Sequence, residues 1–241
     1  MFYWRQQTGR VSWSFTDRTG GSSAGDFDSL NLGGHVGDDA AAVELNRERV
    51  AGSLGVRRDH LLFLQQCHGA EVLVADGPWD ADGPPPADGV VTATPGLALA
   101  VLVADCTPVL LADLRAGVVG AVHAGRPGMV GGIVDVAVDR MRQLGARDVR
   151  AVVGPSICAR CYEVPEELRS AAAAVAPEAS ARSWSGTPAI DVAAGVVAQL
   201  VANNVAVQWV PGCAREDQRL FSYRRDGRTG RYAGIVQAGA T

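Results

Sequence analysis

Residues 97–125 read LALAVLVADCTPVLLADLRAGVVGAVHAG, and this stretch decides the fold. It contains three short apolar runs, separated by polar or glycine-containing turns, at Leu97–Ala104, Val109–Ala112 and Val118–Val122. Continuous apolar runs of this length, bounded by turn signals, are typical of buried strands. We therefore predict three strands, consecutive in the chain, at the centre of the protein.

Similar patterns extend on both sides of this stretch. Five more apolar runs predict strands at Leu61–Leu64, Val72–Ala75, Val149–Val153, Val205–Val210 and Gly234–Gln237. Helical periodicity predicts helices at Ala41–Leu54, Val130–Leu144, Glu166–Val175 and Val192–Ala202, and Asp191 is placed to cap the last of them. Because strands occur both in adjacent pairs and separated by helices, we predict an α+β fold, with mixed β-sheets flanked by helices in a layered sandwich.

One segment could separate two domains. Residues 76–89 read DGPWDADGPPPADG, and three consecutive prolines exclude both a helix and a central strand there. A chain of 241 residues, 47% hydrophobic and 20% charged, suits one large domain or two small ones. Since the loop is short and isolated, we predict a single domain over residues 1–241.

The charged residues exclude several classes of function. The formal net charge of -4 argues against a nucleic acid or an anionic membrane bound by bulk charge. The sequence contains no lysine, so all 22 basic residues are arginine. A Schiff base, an anchored pyridoxal phosphate and a P-loop lysine are therefore excluded. Any bound anion must meet arginine, a backbone nest or a metal.

The sequence also predicts a cellular location. The N-terminal MFYWRQQTGR lacks the layout of a signal peptide. The most apolar stretch is interrupted by Asp105, Pro108 and Asp113, and ionisable groups deep in a bilayer are unfavourable. Five cysteines, an odd number, suggest free thiols rather than a disulfide framework. We expect a cytoplasmic protein that is not embedded in a membrane; the sequence does not indicate its oligomeric state.

Three potential metal ligands follow predicted strands. His68 and His123 come just past the ends of two strands, and Cys106 follows the strand Leu97–Ala104. Two imidazoles and a thiolate are a competent ligand set for zinc, with a fourth position left for water as in catalytic sites. The intervals of 38 and 17 residues match no zinc finger or ribbon. A buried thiol beside two hydrogen-bonded histidines explains the same residues, so both interpretations stay open at this point.

Nine motifs resemble, in order, those of one known family. They are SLNLGGHVGD at 29–38, NRERV at 46–50, QQCHG at 65–69, ADG at 87–89, ADCTPVLLAD at 104–113, AVHAG at 121–125, GPSI at 154–157, CYEV at 161–164 and FSYRRDGRTGRYA at 221–233. The chain thereby resembles the YfiH-type laccase-domain family, first described as multicopper polyphenol oxidases and later as purine nucleoside phosphorylases. This resemblance implies that His68, Cys106 and His123 are zinc ligands.

The resemblance also implies an activity and its partners. These are phosphorolysis of adenosine, inosine or methylthioadenosine, and deamination of adenosine as a second activity, so that a purine nucleoside and phosphate are the expected partners. Asp105 is a candidate for assisting proton transfer beside Cys106. Arg225 is the preferred substrate-binding candidate because a guanidinium fork suits phosphate. Weaker substrate-binding candidates, for which a turn-stabilising role is about as reasonable, are Arg47, Asn31 and Gln66.

One motif departs from the family pattern. The family's usual HAGWRG reads HAGRPG at 123–128, so Arg126 stands in the tryptophan position and Pro127 in the arginine position. If the usual arginine binds an anion, Arg126 could substitute for it from one position earlier. The range of substrates is therefore the property that this change affects most.

Other functions fit part of the pattern. A cysteine hydrolase or deamidase would use Cys106 as nucleophile and His123 as base. Copper-dependent phenol oxidation is less favoured, because its copper sites need more histidines than the four present. A binding or cell-wall-editing partner without turnover is a further possibility. The pair Cys158 and Cys161 has no second CxxC, so we interpret it as incidental.

Overall fold

The structure is a computed structural model, and it describes residues 1–80 and 83–239. Thirteen strands lie in this part of the chain: β1 Phe2–Thr8, β2 Val11–Thr16, β3 Leu61–Leu62, β4 Val72–Val74, β5 Gly89–Thr92, β6 Ala98–Val103, β7 Thr107–Asp113, β8 Val118–Ala124, β9 Val149–Val153, β10 Ser180–Arg182, β11 Pro188–Ile190, β12 Ala206–Trp209 and β13 Tyr232–Ala238. Six α-helices accompany them: α1 Ala40–Leu54, α2 Arg126–Val130, α3 Ile133–Gln143, α4 Glu166–Val175, α5 Val192–Ala202 and α6 Tyr223–Asp226.

Two large sheets form the frame of the molecule. One has the strand order β1-β2-β13-β6-β3, the other has the order β12-β9-β7-β8-β5-β4, and β10 pairs with β11 in a small ribbon. Both large sheets mix parallel and antiparallel neighbours; β3 runs parallel to β6, for example, while β13 runs antiparallel to it. This confirms the predicted α+β fold with mixed sheets.

The layers are held together by three apolar interfaces. The two large sheets face each other through side chains such as Phe15, Leu99 and Leu110. Helices α3 and α5 cover the outer face of the six-stranded sheet, and α1 covers the outer face of the other, where Val50 packs among residues of β6 and β13. Burial of continuous apolar surface on both faces explains why the central strands read as unbroken apolar runs. The shared core supports our proposal that residues 1–241 form one domain.

The structure corrects one predicted helix and refines several bounds. The predicted helix Val130–Leu144 is divided into α2 and α3 at Gly131 and Gly132, because Gly132 adopts a left-handed φ of 78° that breaks the helical path. Asp191 caps α5 as predicted, its carboxylate accepting from the backbone N–H of Ala194. The predicted loop at 76–89 has no helix or strand in its described part before β5 begins at Gly89; Ala81 and Asp82 lie outside the described residues.

The crossing from one sheet to the other determines where the site lies. Strand β6 belongs to the five-stranded sheet and β7 to the six-stranded sheet, so Asp105 and Cys106 occupy the connection between the sheets. Asp105 has a φ of 106°, which turns the chain sharply at this connection. Within the described residues, no helix combines the length and the apolarity that a membrane span requires.

Candidate metal centre and cavity

His123 is a rigidly held imidazole. It lies inside β8, one residue before the end of the strand rather than past it as the sequence suggested, and pairs with Pro108 of β7. Its side chain is 3% exposed, and its Nδ1 lies 2.7 Å from Oδ1 of the fully buried Asp88. A carboxylate on one ring nitrogen fixes the orientation of the ring and leaves Nε2 as the potential ligand atom.

Asp88 also fixes the loop that carries His68. Its two carboxylate oxygens accept hydrogen bonds from the backbone N–H groups of Cys67, His68 and Gly69, at 3.2, 2.9 and 2.7 Å. Backbone bonds of this kind hold His68 at a left-handed φ of 62°, an unusual conformation for a residue with a side chain. One buried carboxylate therefore positions both histidines.

Cys106 completes the cluster. The potential ligand atoms of His68, Cys106 and His123 all lie within 4.8 Å of one another, and the two imidazole rings are nearly perpendicular. Gly125 permits this approach: a Cβ there would lie 3.0 Å from Cδ2 of His68 and 3.3 Å from Sγ of Cys106. The structure thus brings together the three residues that the sequence proposed as metal ligands.

Each charged group of the cluster stabilises the charged form of its neighbour. Burial opposes ionisation of Cys106, but the imidazoles of His123 and His68 outweigh it and lower the pKa of the thiol to about 6. Burial likewise opposes a charged His123, but the Cys106 thiolate and the Asp88 carboxylate raise its pKa to about 9. Asp88 itself has a lowered pKa, because bonds from His123 and the backbone outweigh its burial. The site therefore favours a thiolate, which is the form that ligates metals.

This donor set fits a metal ion. Two imidazoles and one thiolate supply three ligands, and the second nitrogen of His123 already has the carboxylate partner that ligating histidines usually have. Four protein ligands would close the shell of a tetrahedral ion, whereas three leave a position toward the adjoining space. The residues present could hold a divalent cation with one open position.

A cavity of about 410 Å³ opens above the cluster. Its wall is mainly apolar or aromatic, with Leu102, Val103, Ala104, Ile157, Tyr162, Val192 and Tyr223 on it. Its polar groups are the three cluster residues, together with His35, Gln66, Asp105, Arg126, Arg224 and Arg231. A volume of this size suits a small organic ligand, and a mainly apolar wall with a few convergent polar groups is typical of such sites.

The cationic side of the cavity consists of arginines. Arg224 stacks over Tyr162 and donates from its guanidinium to the carbonyl of Glu163. Arg231 has a pKa lowered by burial, and its backbone N–H donates to Asn31 Oδ1. Arg126, which stands in the family's tryptophan position, also lines the cavity. In a protein without lysine, these three guanidinium groups could bind an anion there.

Asp105 lines the cavity but has fixed partners. Its Oδ1 accepts from Ser222 Oγ at 2.6 Å and its Oδ2 accepts from the backbone N–H of Arg224 at 2.7 Å. Burial raises its pKa, although these two hydrogen bonds oppose the rise. Asp105 therefore ties the connection between the sheets to α6, and it is a carboxyl group that could exchange a proton nearer neutral pH than an ordinary aspartate.

The structure does not bring Arg225 to the cavity. Its guanidinium donates to the carbonyls of Ala214, Arg215, Asp217 and Leu220 and pairs with Asp226. A guanidinium with so many partners supports the local loops and has little capacity left for phosphate. The neighbouring Arg224 is the one whose side chain reaches the cavity.

The weaker candidates occupy supporting positions. Arg47 donates twice to the carbonyl of Leu32, away from the main cavity. Asn31 is buried and binds the backbone of Gly33, the carboxylate of Asp38 and the N–H of Arg231. Gln66 lines the cavity, while its amide bonds both backbone groups of Leu102. These contacts correspond to the turn-stabilising alternative.

Several residues of the site were missed from the sequence. Asp88 was noticed only as part of the ADG motif, although a carboxylate at the end of a loop and before a strand was a usable signal. The cavity-lining residues His35, Tyr162 and Arg231 also lie within motifs, at 29–38, 161–164 and 221–233. Their side chains meet only after β8, β9 and β13 are assembled, so spacing could not have selected them.

Comparisons with known proteins agree with this architecture. A Streptomyces griseus protein named a purine nucleoside phosphorylase is 57% identical over 234 residues, covering 95% of each chain. A Streptomyces coelicolor protein with the same name is 54% identical, covering 96% of this chain and 97% of the other. The crystal structure of Bacillus licheniformis YfiH is 31% identical with a TM-score of 0.87, covering 94% of this chain and 92% of that one.

A comparison with models of protein families identifies the family of the chain. The model described as multi-copper polyphenol oxidoreductase laccase matches residues 12–239, which include the whole site and all of the two large sheets except β1 and the first residue of β2. The resemblance seen in the nine sequence motifs is therefore confirmed over nearly the full length. The chain belongs to the multi-copper polyphenol oxidoreductase laccase family.

Proposed function

We propose that this protein is a zinc-dependent purine nucleoside phosphorylase acting on adenosine, inosine or methylthioadenosine, with adenosine deamination as a second activity. The observation that carries the proposal is the placement of His68, Cys106 and His123 at a largely apolar cavity that also holds three arginines. The names of the relatives at 54% and 57% identity support the substrate class. The five free cysteines are compatible with our further expectation of a cytoplasmic enzyme.

The cavity wall offers groups that suit each of the two substrates. A purine has two flat aromatic faces, and these would pack against Tyr162, Tyr223 and the aliphatic wall. Phosphate would bind among Arg126, Arg224 and Arg231, which replace Arg225 in this role. Holding both reactants in one enclosed space converts their encounter into an oriented, effectively unimolecular step.

Phosphorolysis exchanges one bond for another. A phosphate oxygen forms a bond to C1′ of the ribose while the bond from C1′ to purine N9 breaks, its electron pair leaving with the base. The leaving purine takes up a proton, and Asp105, with its raised pKa, is our candidate for assisting that transfer. The arginines would orient the attacking anion and stabilise charge as it redistributes. The products are the free base and ribose 1-phosphate, or 5-methylthioribose 1-phosphate when methylthioadenosine is the substrate.

Zinc is the metal that the donors favour. His68 and His123 supply nitrogen and Cys106 supplies sulfur, a set that zinc accepts in catalytic sites with three protein ligands. When bound, zinc would supply Lewis acidity at the floor of the cavity. Copper remains the alternative, in keeping with the description of the family. Elemental analysis of the purified protein distinguishes the two metals.

Deamination would use the same cavity with water in place of phosphate. Water adds to C6 of the adenine ring, and ammonia leaves after taking up a proton. The thiolate and imidazoles of the cluster line the cavity, and a metal held by them would activate such a water. This second activity requires no phosphate, so it is separable from phosphorolysis by buffer composition.

The direct test is to incubate the purified protein with adenosine, inosine and methylthioadenosine, with and without phosphate, and to separate the products by chromatography. We expect the free base and the corresponding sugar 1-phosphate only when phosphate is present, and inosine from adenosine in either buffer. Both activities should disappear in His68→Ala. Absence of any cleavage by the metal-loaded protein in phosphate contradicts the proposed function.

A second candidate function, a cysteine hydrolase or deamidase, has a specific observation in its favour. Cys106, His123 and Asp88 form a thiolate–imidazole–carboxylate series, an arrangement found in cysteine nucleophile enzymes. A metal-bound thiolate is a poor free nucleophile, so metal content separates the two functions. Two observations would favour the hydrolase. The protein as purified would be free of metal and active without added metal, and an alkylating agent would label its Cys106.

A further inference from the structure

Two four-residue segments of the chain are nearly identical. Residues 158–161 read Cys-Ala-Arg-Cys, and residues 213–216 read Cys-Ala-Arg-Glu. The sequence interpretation set the first aside as incidental because it found no second CxxC. The structure shows that its partner is the second segment, in which glutamate takes the place of the last cysteine.

The topology places these segments side by side. Strands β9 and β12 are parallel neighbours, and each segment follows the carboxyl end of one of them. The pairing continues beyond the strands, where Ser156 donates to the carbonyl of Gly212 and accepts from the N–H of Ala214. The two segments are therefore held in register by backbone hydrogen bonds that do not depend on the cysteines.

Each segment forms a tight turn of the same kind. The N–H of Cys161 donates to the carbonyl of Cys158 at 3.0 Å, and the N–H of Glu216 donates to the carbonyl of Cys213 at 3.1 Å. Such turns bring the first and fourth residues close together. As a result, one donor atom from each of Cys158, Cys161, Cys213 and Glu216 lies within 4.8 Å of the other three.

We propose that these four residues, the cysteine-turn cluster, form a second metal site that binds zinc in a structural role. Three sulfurs and one carboxylate oxygen supply the four ligands of a closed tetrahedral site, and sulfur-rich sets select zinc over magnesium or calcium. The backbone N–H of Cys158 already donates to Sγ of Cys213, which stabilises a ligating thiolate. This inference does not rest on the proposed function of the cavity.

The surroundings of the cluster suit a bound cation and its charged ligands. Cys161 is buried and its Sγ contacts Oε1 of Glu216 at 3.3 Å, while Nε1 of Trp184 donates to the same oxygen. Each segment contributes an arginine: Arg215 interacts with the thiol of Cys161, and Arg160 stacks over Trp184. These groups supply an outer layer of hydrogen bonds and charge around the donors.

The location suggests what the metal would do. Ile157 and Tyr162, which flank the first segment, line the cavity, and Arg225 donates to the carbonyls of Ala214 and Arg215 in the second. A cation that joins the two turns would hold this wall of the cavity in place. We therefore assign the cluster a stabilising role and not a part in catalysis.

The test uses the full chain with both cavity histidines removed, His68→Ala/His123→Ala, stripped of metal and kept reduced. Zinc is added back, and bound zinc is counted by elemental analysis after gel filtration. We expect one zinc per chain in this background, and tetrahedral sulfur-to-metal absorption when cobalt replaces zinc. Adding Cys213→Ser should weaken binding by at least about 10-fold, whereas the matched thiol control Cys67→Ser should leave it unchanged.

A second measurement needs no cysteine variant. Alkylation of the same stripped protein, mapped by peptide mass spectrometry, should show that zinc protects Cys158, Cys161 and Cys213 together while Cys67 and Cys106 still react. Absence of bound zinc in this background, or protection that does not include all three cysteines, overturns the proposal. So does a disulfide among the three that persists in the purified protein and excludes the metal.

Discussion

The molecule contains two clusters of metal-type ligands, and they differ in construction. The cavity cluster, His68, Cys106 and His123, has three donors, a buried carboxylate behind it and an apolar cavity in front. The cysteine-turn cluster has four donors on two turns, and its Glu216 is exposed. Three donors facing a cavity leave a position for chemistry, whereas four donors close the shell. The comparison teaches that the number of ligands and the space beside them, more than their type, distinguish a catalytic from a structural role.

The largest expected effect comes from the cavity cluster. His123→Ala removes a proposed metal ligand together with the positive partner of the Cys106 thiolate. We expect a loss of phosphorolysis of about 10²- to 10³-fold or more, on the scale of losing one electrostatic group from an active site. Initial rates of inosine cleavage in phosphate measure this, with circular dichroism as the control for folding. Near-normal rates in a folded variant would show that the cavity cluster takes no part in phosphorolysis.

The thiols of the two clusters should differ in reactivity. In metal-free protein the pKa of Cys106 is about 6, while burial and the nearby Glu216 raise the pKa of Cys161. Because the thiolate is the reactive form, alkylation of Cys106 should rise with pH, reach half its maximum near pH 6 and then level off. At neutral pH we therefore expect Cys106 to react faster than Cys161. Site-resolved mass spectrometry across a pH series measures both rates, and equal rates would show that the clusters do not differ electrostatically.

Asp88 tests whether the residue behind the cavity cluster matters. Asp88→Asn keeps the shape of the side chain but removes the charge that orients His123. It also replaces one of the two oxygens that accept hydrogen bonds from the loop carrying His68. We expect metal affinity or turnover to fall by about 10- to 100-fold. A competition titration against a chelator gives the affinity. Asp113→Asn is the matched control. Asp113 is also buried and also accepts several hydrogen bonds from backbone N–H groups, but it lies at the end of β7 far from the cavity cluster. If both variants lose affinity equally, Asp88 has only a general structural effect.

Variants of two adjacent arginines distinguish phosphate binding from structural support. Arg224→Met removes a cavity cation, and the loss of one charge-assisted hydrogen bond predicts a rise in KM for phosphate of about 10-fold. Arg225→Met instead leaves several carbonyls without their donor, so we expect unfolding to become easier by about 1–3 kcal/mol with an unchanged KM. Phosphate saturation curves and denaturant melts give the two quantities. The reverse pattern would return the phosphate-binding role to Arg225.

The smallest expected effect on turnover lies in the cysteine-turn cluster. Glu216→Gln weakens one ligand of a site that we assign to stability, so kcat should stay within about 2-fold of the unchanged protein. The Tm of the zinc-loaded protein should fall, because a metal that binds only the folded state stabilises it less when its affinity is lower. Kinetics and thermal melts on the same samples give both numbers. A large loss of kcat at an unchanged Tm would assign this cluster to the reaction.

The sequence predicted eight of the eleven strands of the two large sheets and missed β1, β2 and β5. The unbroken apolar runs of β6, β7 and β8 indicated buried strands, because both faces of those strands are covered. Strand β2 was missed even though VSWSFT alternates apolar and polar residues, which is a usable strand signal. The break at Gly131 and Gly132 was missed because apolar periodicity continues across it.

The two clusters show what spacing cannot reveal. Motif resemblance selected His68, Cys106 and His123, but it gave no reason to join Asp88 to them, since that contact forms only when β5 pairs with β8. Likewise Cys158 and Cys213, 55 residues apart, meet only because β9 and β12 are parallel neighbours. Arg225 was preferred over Arg224 because the sequence does not show which of the two guanidinium groups donates its hydrogen bonds to the loop carbonyls.

The central claim is that metal in the cavity cluster supports phosphorolysis. It is tested most directly by measuring phosphate-dependent release of base from inosine while zinc is added back to metal-stripped protein. The experiment is repeated in the Cys158→Ser/Cys213→Ser variant, in which only the cavity cluster can bind. We expect a rate that rises with zinc bound to the cavity cluster in both proteins and stays at background in His68→Ala. Full activity of the stripped protein, or equal activity in His68→Ala, would contradict it.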